Sequence, residues 1–283
     1  MVASKASQKG HALDQRSLML FVPANRSHRL VAALASGADG VIIDLEDAVP
    51  PDEKDSARQA MLAALAVTVP STVPILVRVN ASATPWFVAD CEALAHPRID
   101  GVVLPKAELR GDIEMLRKGV GEDRRVVALV ETARGVASAR QLAEVASHLA
   151  FGSLDFASDI GAKHTRDALL SARMELVLAS KLAGLPGPID GVTTAIDDPD
   201  AVGEDAAYAA ALGFIGKLLI HPRQVLPASA AFAPSEAEIA WARRVIAATE
   251  DKAVAVVDGR MVDAPVRQQA MRLLGRVATD RDA

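Results

Sequence analysis

From residue 17 onward, short runs of Val, Ile and Leu alternate with longer Ala-, Leu-, Glu- and Arg-rich segments. That alternation restricts the chain to βα units around a parallel sheet. The runs are Leu18 to Val22, Val41 to Leu45, Ile75 to Val79, Val102 to Leu104, Val126 to Val130, Leu149 to Phe151, a weak one near Ile189 to Val192, and Phe214 to Ile220. Most are apolar at nearly every position, as expected of strands covered on both faces. Ser27 to Ser36, Asp52 to Ala66, Gly135 to Ser147 and Arg166 to Ala183 supply covering helices with an inward apolar stripe. Eight units predict an α/β fold, the TIM (β/α)8 barrel. A doubly wound open sheet would carry a glycine-rich turn after its first strand. Here that turn is Pro23-Ala24-Asn25-Arg26, and neither GxGxxG nor GxxxxGK[ST] occurs.

After the eighth run come His221-Pro222-Arg223-Gln224, a helix from about Ser235 to Asp251, a hairpin signalled by Asp258-Gly259 between apolar β-formers, and an amphipathic helix over Val266 to Val277. The expected organisation is a disordered arm at 1–16, a catalytic barrel at 17–230, and a helix–hairpin–helix appendage at 231–283, too small to fold alone and suited to a lid or oligomer contact. Aromatics are 3% and the net charge is −5, which gives neither a basic footprint nor a stacking surface for nucleic acid. The polar N-terminus lacks a signal h-region, and no apolar run approaches the roughly 18 to 20 residues of a membrane helix. A soluble, cytoplasmic chain is expected. The single cysteine, Cys91, fits a reducing compartment and reads as structural.

In a parallel barrel the chemistry lies at the C-terminal strand ends. These read Asp44-Leu45-Glu46-Asp47, Arg78-Val79-Asn80, Pro105-Lys106, Glu131-Thr132-Ala133-Arg134, Gly152-Ser153-Leu154-Asp155 and His221-Pro222. Any one such residue reads equally as a helix cap or a solvated charge. Six strands ending in ionisable groups on one rim point to a site, because a charged mouth costs desolvation unless a ligand or metal uses it. Glu131 and Asp155, on adjacent strands and without zinc-type Cys or His spacing, suit Mg²⁺. The alternative is an acid that caps a helix or pairs with Arg134. Arg78 suits a carboxylate beside the metal, and a salt bridge with Asp44 or Glu46 is its rival role. A substrate carboxylate with an adjacent oxo or hydroxy oxygen on Mg²⁺ implies aldol or Claisen chemistry.

The runs RSLMLFVPANR, DGVIIDLEDAVPPDEKDSAR, VRVNA, GVVLPKAE, VALVETARGV, LAFGSLDFASDIGA, GFIGKLLIHPRQV and VVDGRMVDAPV resemble, in order and over nearly the whole chain, the citrate lyase β-subunit family within the group that includes malyl- and citramalyl-CoA lyases. The resemblance implies a homo-oligomer, commonly a trimer or a pair of trimers. It also implies Mg²⁺-dependent cleavage or formation of a C–C bond in a 3-hydroxy-acyl thioester. Glu131 of VETARG and Asp155 of FGSLD match the family's metal ligands, with Asp159 as the competing candidate. Arg78 of VRVN matches its substrate-carboxylate clamp. Asp44, Glu46 and Asp47 match an acidic turn expected behind the metal's waters and Arg78. Lys106 and His221 lie on the rim and are expected near the thioester end or CoA, although His221 before proline reads equally as a buried, satisfied histidine. Asp263 of MVDAP matches a lid carboxylate, expected to act across a subunit interface as general acid/base; its other reading is a cap for the helix begun by Pro265. Ala24 replaces a glycine of the family's VPGN turn, and His28 and Ala32 stand where some relatives carry lysines. CoA phosphate recognition therefore rests on Arg16, Asn25, Arg26 and the first helix's N-terminus.

The leading expectation is a stand-alone lyase on malyl-, citramalyl- or citryl-type CoA thioesters, releasing a 2-oxo acid and an acyl-CoA. One alternative is a CoA-independent aldolase on a 2-oxo acid and an aldehyde, against which the appendage argues. Another is the β subunit of a citrate lyase complex, working on an acyl carrier protein.

Overall fold

The computed structural model describes residues 13–68, 71–121 and 124–280, with side chains as far as 275. Strands β1 (Ser17–Pro23), β2 (Gly40–Asp44), β3 (Ile75–Arg78), β4 (Gly101–Leu104), β5 (Arg125–Val130), β6 (His148–Phe151), β7 (Ile189–Asp190) and β8 (Gly216–Leu219) close into a parallel barrel in chain order, with β8 pairing β1. The continuous apolar runs serve both strand faces. Met19, Ile42, Leu76, Val103, Leu129 and Leu218 fill the barrel interior. Alternate neighbours such as Leu20, Ile43 and Val77 are equally buried on the other face. At the closing seam, Gly216 is required because an added Cβ would run into the Ser17 backbone.

The helices follow their local signals. Thr165 caps Arg166–Leu182 by accepting from the Ala168 amide, and Asp198 with Pro199 opens Pro199–Leu212, which ends at Gly213 with φ 105°. The helix expected over Gly135 to Ser147 is instead two short helices, Ala133–Ala137 and Ala139–Ala143, which meet at Ser138. β7 stops at Asp190, short of Val192. The following Gly191 packs so tightly on Ser153 and the Phe151 carbonyl that a Cβ would not fit.

Most of the expected N-terminal arm lies outside the described residues, but its end departs from the expectation. Residues 13–15 are helical, and Leu13 is buried with the barrel-interior side chains. Arg125 donates to Asp14 Oδ1 at 2.9 Å, and Arg16 donates to both Asp39 oxygens at 2.9 to 3.2 Å. The physical reason is that the N-terminal end of the barrel needs an apolar cover, and one leucine held by two ion pairs supplies it.

The chain divides into two compact units, one ending at Ser229 and one from Ala230 onward. In the second, Ser235 and Glu238 form a capping box on Glu236–Ala248. β9 (Ala255–Val257) and β10 (Arg260–Val262) turn through Asp258 and Gly259 at φ 50° and 74°, and Ala264–Asp280 is the last helix. Ala242, Val245, Val257, Val262 and Ala270 form its core. Among the described residues no helix is long and apolar enough to cross a membrane.

Candidate active site

The strand ends enclose a cavity of about 460 Å³. The β2–β3 register sets Asp44 beside Arg78. Arg78 Nε and Nη2 each donate to one Asp44 oxygen at 2.7 Å, a full side-on fork. Nη1 lies 3.1 Å from Glu46 Oε2, an ion contact without hydrogen-bond alignment, and 3.7 Å from Asp47 Oδ2. The guanidinium also covers the Phe21 ring at 4.8 Å. Burial alone would lower the Arg78 pKa, but Asp44, Glu46 and Asp47 outweigh it and keep the group charged. The ion pair expected as the rival role of Arg78 is therefore present on one edge. The guanidinium has five N–H donors and Asp44 takes two, so its other edge keeps donors for a ligand.

The acidic turn is fixed from below. Asp44 accepts from the Glu46 and Ala48 amides at 2.9 and 3.2 Å, and Lys54, buried under the turn, donates to the Leu45 and Glu46 carbonyls at 2.7 and 2.8 Å. Glu46 Oε1 is ion-paired to Lys106 Nζ. Desolvation raises the Glu46 pKa, against the pull of Arg78 and Lys106.

Glu131, at the end of β5, is 1% exposed. Its Oε1 accepts from the Lys106 amide at 2.7 Å, an N–H aimed there by a left-handed residue, φ 48°. Its Oε2 is buried without a hydrogen-bond partner among the described residues. Burial first, and then the Glu46 charge, push its pKa up to about 8. Gly152 makes room for this carboxylate, since an added Cβ would run into Glu131 Oε2. Asp155, in the first turn of Ser153–Asp159, lines the same cavity.

A desolvated carboxylate oxygen without a partner is a place for a cation. Five carboxylates (Asp44, Glu46, Asp47, Glu131, Asp155) stand here against Arg78, Lys106 and Lys54, so the cluster carries excess negative charge. Among the described residues no group of three or more His, Cys, Asp or Glu gathers as a metal cage. A cation at Glu131 and Asp155 would take its other ligands from water or substrate, which suits Mg²⁺. The pairing of Glu131 with Arg134 is not made; the exposed Arg134 lies 3.6 Å from Glu108.

Asp159, the competing ligand, instead accepts from the Ala133 amide at 2.7 Å and caps that short helix. His221 is half-buried, and its Nδ1 accepts from the Arg223 amide at 3.2 Å to cap the turn Pro222–Gln224, a local role. Asn25 donates to Glu53 Oε2 at 2.7 Å, and Arg26 is exposed after β1. Two expected phosphate groups are corrected. Arg16 precedes β1 and is tied to Asp39 at the opposite end of the barrel. The first helix opens as a 3₁₀ turn over Ala24–Arg29, and its α-helical part, Leu30–Leu34, is too short to offer a dipole. Asp263 follows β10, and its Oδ1 accepts from the Val266 amide at 3.4 Å, which is the capping geometry.

Sequence reasoning missed Lys54 and gave no role to Gly152 and Ser153 within the strand-end run that contains them; Ser153 lines the cavity, with its hydroxyl 3.0 Å from His164 Nε2. Of these only Gly152, a glycine at a strand end beside acids, carried a readable signal.

The HpcH/HpaI aldolase/citrate lyase family matches residues 17–222. A citrate lyase subunit beta-like protein of Deinococcus radiodurans is 36% identical over 92% of this chain and 96% of its own. A (3S)-malyl-CoA thioesterase of Cereibacter sphaeroides is 37% identical over 87% and 88%. The structure of the CitE protein of Mycobacterium tuberculosis with magnesium, acetoacetate and coenzyme A superposes with a TM-score of 0.83 at 34% identity, over 93% of this chain and 98% of that one. With its barrel matched end to end and its charged mouth at the C-terminal strand ends, this chain belongs to the HpcH/HpaI aldolase/citrate lyase family, a family of carbon–carbon lyases.

Proposed function

We propose that the protein is a Mg²⁺-dependent lyase that cleaves, or in reverse forms, the C2–C3 bond of a 3-hydroxy-acyl-CoA, giving a 2-oxo acid and an acyl-CoA. The observation that carries this reading is the buried Glu131 carboxylate with its unpartnered Oε2, in one cavity with Asp155 and Arg78. Glu131 and Asp155 hold the metal. Bound there, Mg²⁺ supplies Lewis-acid stabilisation of charge on the substrate's 3-oxygen. Asp44 holds Arg78 so that its remaining N–H groups orient the substrate carboxylate. We assign Lys106, 45% exposed and paired with Glu46, to the thioester end of the substrate, and Asn25, Arg26 and His221 to CoA. The relative solved with magnesium and coenzyme A supports this reading.

Incubation with malyl-, citramalyl- and citryl-CoA tests it, with the 2-oxo acid read as a hydrazone and free thiol measured in parallel. The expected result is 2-oxo acid without free thiol, abolished by excess chelator and restored by Mg²⁺. Full activity in chelator sinks the metal role. Free thiol without 2-oxo acid means thioester hydrolysis instead, and turnover only of CoA-free aldols means the aldolase alternative.

Cleavage releases the 3-hydroxyl proton as that carbon becomes the oxo carbon of the 2-oxo acid. It leaves the C2–C3 electron pair on C2 as a thioester enolate, which must take up a proton in turn, so one proton lost from the 3-oxygen balances one gained at C2. Glu131 and Asp155 are committed to the metal, so we assign that proton to Asp263 of a second copy in a homo-oligomer, a trimer or hexamer. Asp263→Ala is expected to lose on the order of 10²-fold in turnover. Mixed with Glu131→Ala subunits, it should regain part of that activity in oligomers whose mass shows exchange. A mixture that exchanges and stays inactive, or an Asp263→Ala enzyme with full activity, rejects the shared site.

A further inference from the structure

The cavity has two chemical halves. In the closed barrel β3 and β7 lie four strands apart and face each other across the axis. Among the described residues, every ionisable one that lines the cavity (Asp44, Asp47, Arg78, Glu131, Asp155) comes from the arc running from β2 through the turn after β6, where Leu129, Phe151 and Leu154 stand between them. The arc from the turn after β7 through β8 to β1 lines the cavity with Val192, Leu218, Ile220, Phe21 and Pro23, and only its β1 end, at Phe21, lies against the Arg78 guanidinium. Leu218 belongs to the barrel core and Val192 packs against it, so this half is hydrocarbon to its base. Arg78 is the one cation among the described lining residues, and its side-on edge is already spent on Asp44.

We propose that these halves select the 2-oxo acid. The enzyme takes one with a single carboxylate and a short alkyl substituent, pyruvate-like, in preference to a dicarboxylate such as oxaloacetate, and Val192, Leu218 and Ile220 set that choice. This rests on the lyase reading above. A 2-oxo acid uses its carboxylate and oxo oxygen on the polar arc, so its substituent points at the apolar one. A methyl group there loses water contact and gains hydrocarbon contact. A carboxymethyl group would bring a second negative charge against side chains that cannot pair with it, in a mouth already rich in carboxylates. In the CoA ester this places the preference on citramalyl-type rather than citryl-type substrates.

Titration calorimetry with saturating Mg²⁺, using pyruvate and freshly dissolved oxaloacetate, tests this without turnover. The expected Kd for pyruvate is at least tenfold below that for oxaloacetate. Ile220 is 39% exposed, so Ile220→Lys can place an ammonium at the rim of the apolar arc without disturbing the core. It should narrow the ratio at least fivefold, and Val192→Lys repeats the test from the neighbouring turn after β7. Oxaloacetate binding as tightly as pyruvate overturns the inference while leaving the lyase reading intact. A ratio that neither lysine moves, in variants with unchanged circular dichroism, overturns the role of the apolar arc. If neither acid binds with Mg²⁺ present, the lyase reading itself fails.

Discussion

Replacing Glu131 by Gln is expected to abolish Mg²⁺ binding and to cut turnover by on the order of 10³-fold or more, while the barrel stays at least as stable as the parent. The loss follows from removing a Lewis acid worth several kcal/mol of transition-state stabilisation. The retained stability follows from the site. Gln has the same size, so it fits the space left by Gly152 and still accepts from the Lys106 amide. Only a charge that burial disfavours is lost. The Glu131 pKa of about 8, against an ordinary 4.5, gives the pH dependence its sign. Between these values the metal-free folded protein holds a proton that the unfolded chain has released, so its contribution to stability is full below about 4.5 and is lost as pH rises towards 8. Mg²⁺ must displace the same proton. Its apparent affinity should rise up to about tenfold per pH unit below pH 8 and level off above. Thermal melts in chelator and Mg²⁺ titrations from pH 6 to 9 should show both slopes in the parent and neither in Glu131→Gln. A parent affinity that is flat across pH 6 to 8 contradicts the account, as does an active Glu131→Gln enzyme.

The barrel was legible in the sequence because a parallel strand covered on both faces needs apolar residues at nearly every position, and few other structures ask for that. The mouth was legible for a related reason. Asp44 and Arg78 stand at the ends of such runs, and Glu131 and Asp155 follow them directly or within one turn of helix, so topology alone gathers them. What depends on a single tertiary contact was not readable. Leu13 in a polar stretch gives no periodicity, yet it closes the barrel. Arg16 and Asp159 carry the right charge for their expected roles, but each is taken by a partner far away in sequence, Asp39 and the Ala133 amide. The left-handed backbone of Lys106, which sends its amide to Glu131, has no signature in a lysine. Nor does the division of the cavity into two halves, since it depends on which strands face each other after closure.

Arg78→Lys keeps the charge and removes the fork, and it is expected to lose stability and catalysis for separable reasons. The Arg78 side chain is 11% exposed and that of Asp44 2%, so the pair is nearly dry. An ammonium reaches one Asp44 oxygen. The other retains only backbone donors, and the partly unpaired carboxylate should cost about 1–3 kcal/mol of folding free energy. Complete removal by Arg78→Ala should cost about 3–5 kcal/mol, because Asp44 is then a buried charge without its counterion. Asp44→Asn provides the separating measurement. It weakens the support of Arg78 but leaves the N–H groups that face the cavity, so it should lower stability more than it lowers kcat/KM. Arg78→Lys loses those groups as well. Forfeiting a charge-assisted contact of roughly 1.5–3 kcal/mol should lower kcat/KM by about 10- to 150-fold. If Arg78 served only the fold, both variants would lose stability and both would retain kcat/KM per folded molecule. That outcome, from denaturant unfolding and kinetics on the same preparations, would reduce Arg78 to the counterion of Asp44 and leave the substrate carboxylate to the metal alone.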